Sequence, residues 1–434
     1  MTDAVSRSKQ LHLLCWMVLS LVVLGGAALA QASARAESRK SDGGASSLPS
    51  MPSQALSYPG ERILLDYDRY GPGDEPALER LRRDRSLDRR FGKRARASIE
   101  RSQISVLDDA FVQPSGRILI TGERLSLGPP VTTVMVVARL RSDGGLDRSF
   151  AGRGWRVVDL EGPFQAGTAV AAMPGGRVVA AGSDGYGGRE GVLHPSFVIA
   201  LRPNGSADAS FGGEGIVRLP THAPVEDLVP SRRGSILAAA SFNDFELFRL
   251  RPDGGLSAGF GDAGRVVVDR AGVSANESLF TPLGEIGQAA DGSILIAGGS
   301  QFISGGKFHY GMAAVRYRPD GKRDLTYGSK NGFARAWFKQ SAFARGMAIQ
   351  PSGRIVVVGG TSPSRGASAM VAMCLNPAGR FQAGFGKGGK VMLKPEHGSD
   401  GNGAVFQAGR MVVLVGGNGR GLALVRLRIR PPVR

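Results

Sequence analysis

Cysteine is almost absent: Cys15 and Cys374 are the only two in 434 residues. Cys15 lies inside an apolar leader, so the mature chain holds one thiol and no internal disulfide. Cys374 falls in the strand-like run 369–375, where a buried, inert thiol is expected. Lysine is nearly as scarce, with ten against forty-five arginines, and the formal charge is +18. That charge invites a polyanion. The arginines are spread over the whole chain, however, and the densest patch, 80–101, has none of the interleaved aromatics that stack single-stranded bases. The patch reads as a solvated face, and no specific nucleic acid is expected.

Catalytic signatures are missing too. There is no H-E-x-x-H, no C-x-x-C pair and no G-x-x-x-x-G-K-[ST]. Gly417-Asn418-Gly419-Arg420-Gly421 joins two strand-like runs without a helix, which argues against a phosphate loop. His194, His222, His309 and His397 are widely separated and read as isolated surface residues, while Asp66 and Asp68, or Glu226 and Asp227, are carboxylate pairs of a common kind whose separation nothing in the sequence fixes. Neither a metal nor a cofactor is called for.

Only one apolar run is long. Arg7 and Lys9 precede Leu11 to Leu24, and Ala27, Ala28 and Ala30 follow, the layout of an export signal. Residues 1–36 are therefore read as a cleaved signal, with a retained N-terminal anchor as the alternative and no other transmembrane span. Residues 37–60, rich in Ser, Gly and Pro, read as a flexible linker. Residues 61–434 form the folded domain.

That domain repeats about every sixty residues, the mark of a stacked or ringed architecture. The phrase Leu146-Asp147-Arg148-Ser149-Phe150 returns as Leu87-Asp88-Arg89-Arg90-Phe91, Ala207-Asp208-Ala209-Ser210-Phe211 and Leu256-Ser257-Ala258-Gly259-Phe260. Worn copies end on Tyr327 and Phe385. A tight turn precedes each apolar run, as in Gln113-Pro114-Ser115-Gly116-Arg117-Ile118 and Gln350-Pro351-Ser352-Gly353-Arg354-Ile355, because proline presets one turn dihedral and glycine takes the positive one. A further strand, such as 136–140, leads into an Asp-Gly or Asn-Gly turn at Asp143-Gly144, Asn204-Gly205, Asp253-Gly254 and Asp320-Gly321.

Four short antiparallel strands per unit without a helix predict an all-β fold, a single β-propeller. These phrases resemble the delta-60 repeat of bacterial exported and surface proteins over residues 86–427. Six copies of the hairpin predict six blades of four antiparallel strands, and a seventh blade drawing on residues 61–85 is the alternative. The run 421–427 and the opening Ser86-Leu87-Asp88 look like complementary halves that close the ring.

The loop after the second strand of each hairpin varies most. It is long at 123–131, 183–195 and 300–311 and nearly absent at 241–246. Insertions confined to one face often mark a binding face, which makes Tyr186, His194, Phe302, His309 and Tyr310 candidate ligand-rim residues. The expectation is a monomeric, exported, non-enzymatic binding or scaffold module at the cell surface, in the periplasm or outside the cell, for an unknown protein or glycan. The alternatives are a propeller hydrolase or lyase with its site at the channel mouth, and arginine-mediated polyanion binding.

Overall fold

The computed structural model describes residues 54–430 except 59–61, 68–75, 94, 101–102, 127–131, 161–164, 185–194, 232, 242–244, 269–276, 305–306, 330, 363–367, 394–399, 409 and 418–421. The signal reading at 1–36 lies outside them.

Seven antiparallel sheets follow one another along the chain, spanning 54–98, 106–158, 165–218, 225–267, 277–336, 341–392 and 400–428. The first six have four strands and the last has three. The expectation of six blades is thereby corrected to seven. The extra blade is the first, built from Gln54–Tyr58, Arg62–Tyr67, Ala77–Leu81 and Arg96–Ser98. It starts inside the stretch whose composition suggested a linker. In the sequence Pro59-Gly60 falls between its first two strands, where most later repeats carry a Pro-x-Gly or Asp-Gly phrase.

Ring closure differs as well. The two chain ends do not complete one sheet: Leu422–Arg428 is the third strand of blade 7, while Ala77–Leu81 and Arg96–Ser98 pair within blade 1. The seam is a side-chain contact, with Ile63 and Leu81 of blade 1 buried against Val405, Val413 and Val415 of blade 7.

Blade interiors explain why the middle strands read as unbroken apolar runs. Successive side chains on a strand point to opposite faces, and here both faces meet a neighbouring blade. Val178 and Ala180 pack toward blade 2 with Leu119, Met135 and Val137, whereas Val179 and Ala181 pack toward blade 4 with Val225, Ala238 and Ala240. Ile236–Ser241 and Met370–Leu375 are buried at every residue.

The recurring phrase lies between the third and fourth strands and locks each blade to the next. The Gly92 N–H donates to the Asp143 carbonyl at 2.7 Å, Ala151 to Asn204 at 2.7 Å, Gly212 to Asp253 at 2.9 Å and Gly261 to Asp320 at 2.8 Å. The partner in each case is the Asp-Gly or Asn-Gly turn of the following blade. Gly144, at φ +88°, lies so close to Phe91 that an added Cβ would sit 3.1 Å from its ring. Only glycine fits that backbone and that contact.

The innermost strand of each blade lines the axis: Gln54–Tyr58, Val106–Val112, Gln165–Ala172, Val225–Pro230, Glu277–Gln288, Ser341–Ile349 and Asp400–Gln407. In blades 2 to 7 its register against the second strand slips, leaving Asp108, Thr168, Glu226, Arg345 or Asn402 as an extra residue, and Thr281, Pro282 and Gly284 in blade 5. Bulges of this kind re-aim side chains, here at the inner wall of the ring.

Candidate functional site

Blade 5 carries the longest hairpin. Its strands Ile294–Ser304 and Lys307–Tyr317 stay paired out to Ser304 opposite Lys307, so much of the segment read as a loop is strand. The register sets Phe302 directly opposite His309 and Gln301 opposite Tyr310. Directly opposed residues share a face. The Phe302 and His309 rings stack accordingly, with centroids 4.6 Å apart and planes 12° from parallel.

Trp337 completes this face from the connection into blade 6. Its ring meets Phe302 edge-on at 4.6 Å, an arrangement favoured by the ring quadrupoles. Gly311 makes room for it, since a Cβ there would stand 2.5 Å from the indole. Lys390 of blade 6 donates from Nζ to the Trp337 carbonyl at 3.3 Å. Tyr310 lies 5.3 Å from Phe343 and 6.3 Å from Phe308, which is 56% exposed. Exposed Ile303 extends the apolar tip.

These groups enclose a cavity of about 400 Å³ lined by Phe302, His309, Tyr310, Trp337, Phe338, Lys339, Gln340 and Ser341. That volume falls in the range of small-ligand sites. The Gln340 Oε1 is buried and accepts no hydrogen bond from the described residues. A buried acceptor left open costs free energy that a donor from a ligand would restore.

Of the five rim residues expected from sequence, Phe302, His309 and Tyr310 converge here, while Tyr186 and His194 lie outside the described residues. Trp337, Lys339 and Gln340 were missed because they sit between blades rather than in the variable loop. Their signal was the aromatic pair Trp337-Phe338 in a connection otherwise made of polar residues.

A second polar grouping lines the axis. An inner strand has no neighbour on its axial side, so some of its backbone N–H groups need other partners. Carboxylates supply them from the preceding blade. Asp109 Oδ2 accepts from Val170 N at 2.7 Å, Asp227 Oδ2 accepts from Ile286 N at 3.3 Å, and Glu285 Oε2 accepts from Met347 N. Thr168 makes a related link by donating to the Val225 carbonyl.

Burial pushes Asp227 up to about 6, despite hydrogen bonds from Ile286 and Leu228. Burial, then the charge of Asp227, pushes Glu226 up to about 7; burial, then the charges of Asp227 and Asp109, pushes Glu285 up to about 8. Both glutamates are nevertheless reached by water from the channel, which moderates the desolvation. The sequence offered Glu226 and Asp227 as a bare pair; the fold adds Asp109 and Glu285 to it. Asp109, Asp227 and Glu285 each stand seven residues ahead of a turn glycine, Gly116, Gly234 and Gly292, a match visible once the repeats are aligned. Among the described residues no group of three or more His, Cys, Asp and Glu is placed to hold a metal ion. Cys374 is buried, and its surroundings push the thiol up to about 12.

Two segments, 113–150 and 350–385, match a family described as "Domain of unknown function (DUF5122) beta-propeller". No curated protein matches. Solved structures similar to this chain include a protein of unknown function from Bacteroides caccae, 13% identical over 73% of this chain and 90% of that one, with a TM-score of 0.38. Another protein of unknown function, from Dyadobacter fermentans, is 12% identical over 74% of this chain and 94% of that one, at 0.39. A puromycin hydrolase is 14% identical over 88% of this chain and 54% of its own, at 0.45.

Proposed function

We propose that this protein is an exported propeller that binds a glycan through the aromatic cavity of blade 5. The observation that carries this reading is the cavity itself, lined by the aromatic residues Phe302, His309, Tyr310 and Trp337 beside the open acceptor of Gln340. A pyranose ring matches that chemistry, because its C–H faces pack on aromatic rings while its hydroxyls donate at the edge. Lys339 and Ser341 add polar partners at the cavity wall. Export rests on Arg7, Lys9 and the Leu11 to Leu24 run; sequencing the N-terminus of protein recovered outside the cytoplasm tests it.

Titration of the full chain with neutral and acidic oligosaccharides, followed by Trp337 fluorescence in a Trp16→Phe and Trp155→Phe background, tests the site. Saturable quenching that His309→Ala or Gln340→Ala abolishes or weakens at least tenfold is the expected result. A panel without any saturable response overturns it.

The axial carboxylates favour a second reading, an enzyme using Glu226 as acid or base at the channel. Its test is hydrolysis of a chromogenic ester and glycoside series by the purified chain. Turnover lost in Glu226→Gln supports it, and turnover unchanged in that variant excludes Glu226.

A further inference from the structure

The repeats share an internal ion pair that one copy leaves half made. In blades 1, 2 and 5 an arginine on the third strand meets the aspartate of the recurring phrase: Arg80 with Asp88 at 2.8 Å, Arg139 with Asp147 at 2.8 Å and Arg316 with Asp324 at 2.5 Å. One guanidinium nitrogen of each also donates to a backbone carbonyl of the next blade, from Ser142, Pro203 or Pro377. Blade 3 lacks the strand arginine, having Ala200, and Arg177 reaches Asp208 at 2.7 Å instead.

Blade 4 keeps the arginine and loses the acid. Arg249 still donates to the Pro319 carbonyl and still covers an aromatic ring, with its guanidinium carbon 4.4 Å from the Phe260 centroid. Ser257 occupies the aspartate position, its N–H bonded to the Arg249 carbonyl at 2.7 Å, just as Asp147 is bonded to Arg139 at 2.8 Å. Among the described residues no carboxylate pairs with Arg249. Burial accordingly lowers its guanidinium from the usual value with no acid to offset the effect.

Arg249 lines a cavity of about 580 Å³ where the turns of blades 4, 5 and 6 meet, together with Arg233, Ser231, Ser235 and Gln288 among others. Asp291 also lines it, but both the N–H and the hydroxyl of Ser293 already bind one of its carboxylate oxygens. Two arginines against one aspartate leave the cavity positive. A cavity of this size takes a small organic molecule, and a guanidinium fork is matched by a planar carboxylate.

We propose that Arg249 anchors a site for a small carboxylate-bearing ligand, whose carboxylate takes the place that an aspartate of the chain fills in blades 1, 2 and 5. The site is independent of the aromatic cavity, and the repeat supplies its own competitor: Ser257→Asp restores the missing acid. Thermal unfolding of the full chain is followed in succinate, inorganic phosphate and chloride at matched ionic strength. The wild type is expected to gain about 3 °C or more, saturably, in succinate over chloride. Ser257→Asp is expected to melt higher without ligand and to lose the succinate response, and Arg249→Gln to lose the response as well. If Arg249→Gln does not fold, Ser257→Asp alone decides. A succinate response that persists in Ser257→Asp, no saturable response in the wild type, or phosphate equalling succinate would each overturn the proposal.

Discussion

Arg139 Nε lies 2.8 Å from the Asp147 carboxylate, and both side chains are almost wholly enclosed, at 5% and 6% exposure. The same guanidinium stacks 4.9 Å from the Phe150 centroid and donates to the Pro203 carbonyl of the next blade. One arginine therefore holds a turn, an aromatic plug and a blade boundary together. Part of the large arginine count is explained by this internal use, without any ligand.

Removing the acid of this pair strands a buried charge. Asp147→Ala, which leaves the enclosed Arg139 guanidinium without its acid, should cost about 3–5 kcal/mol of stability, and Arg139→Ala less, because Arg117 still reaches Asp147 Oδ2 at 3.2 Å. Arg139→Met with Asp147→Leu should cost less than the sum of Arg139→Met and Asp147→Leu made singly. Urea unfolding in a double-mutant cycle reads the coupling, and additive losses would contradict it.

The same aspartates set the acid limb of stability. Burial alone would raise the Asp147 carboxyl, but hydrogen bonds from Ser149 and the charge of Arg139 outweigh it and hold it below the ordinary carboxylate value. Asp324 behaves alike, with Thr326 and Arg316 as partners. A depressed folded pKa gives stability that is present above the unfolded value near 4 and is lost as pH falls through the folded one. Melting temperature should drop steeply below pH 4, and Asp147→Asn should flatten that drop while lowering the plateau.

The axial acids act in the opposite direction. Their folded values near 6, 7 and 8 lie above the unfolded ones, so the folded state binds protons more tightly and loses relative stability as pH rises from about 4 to 8. Glu285→Gln keeps an oxygen to accept from Met347 N and removes the charge. It should raise the melting temperature at pH 9 and leave it nearly unchanged at pH 4, whereas equal shifts at both would rule out ionisation as the cause.

Gly144→Ala should weaken the joint between blades 1 and 2. The added methyl meets Phe91 and the Gly92 nitrogen at 3.0–3.1 Å, on a backbone at φ +88°. A loss of about 1–3 kcal/mol is expected, read by chemical denaturation. The same change at Gly259, which has open space around it, is the control and should be nearly silent.

Turn chemistry made the blades legible. Gly116, Gly176, Gly234, Gly292 and Gly353 each adopt the positive φ that the turn phrases require, and Asp147, Asp208 and Asp324 bind the residue two positions on, as turn aspartates do. The blade count was not legible, because blade 1 carries the turn phrase with one residue inserted, Gly60-Glu61-Arg62-Ile63, beside a Ser- and Pro-rich stretch. The rim was half legible: the variable loop pointed to Phe302, His309 and Tyr310, but Trp337 joins them only through the packing of two blades. The axial carboxylates were the least legible, since Asp109 and Glu285 are separated by three blades of chain and meet only across the ring.

The seam between blades 7 and 1 has a mechanical consequence. Every other boundary that carries the phrase is threaded by one continuous chain and clipped by backbone bonds, but this one joins the two ends of the fold through Ile63, Leu81, Val405, Val413 and Val415. Tension applied between the termini would fall on that apolar contact first. The ring would then part like a clasp, at a force set by how quickly water enters the contact, before any blade unravels.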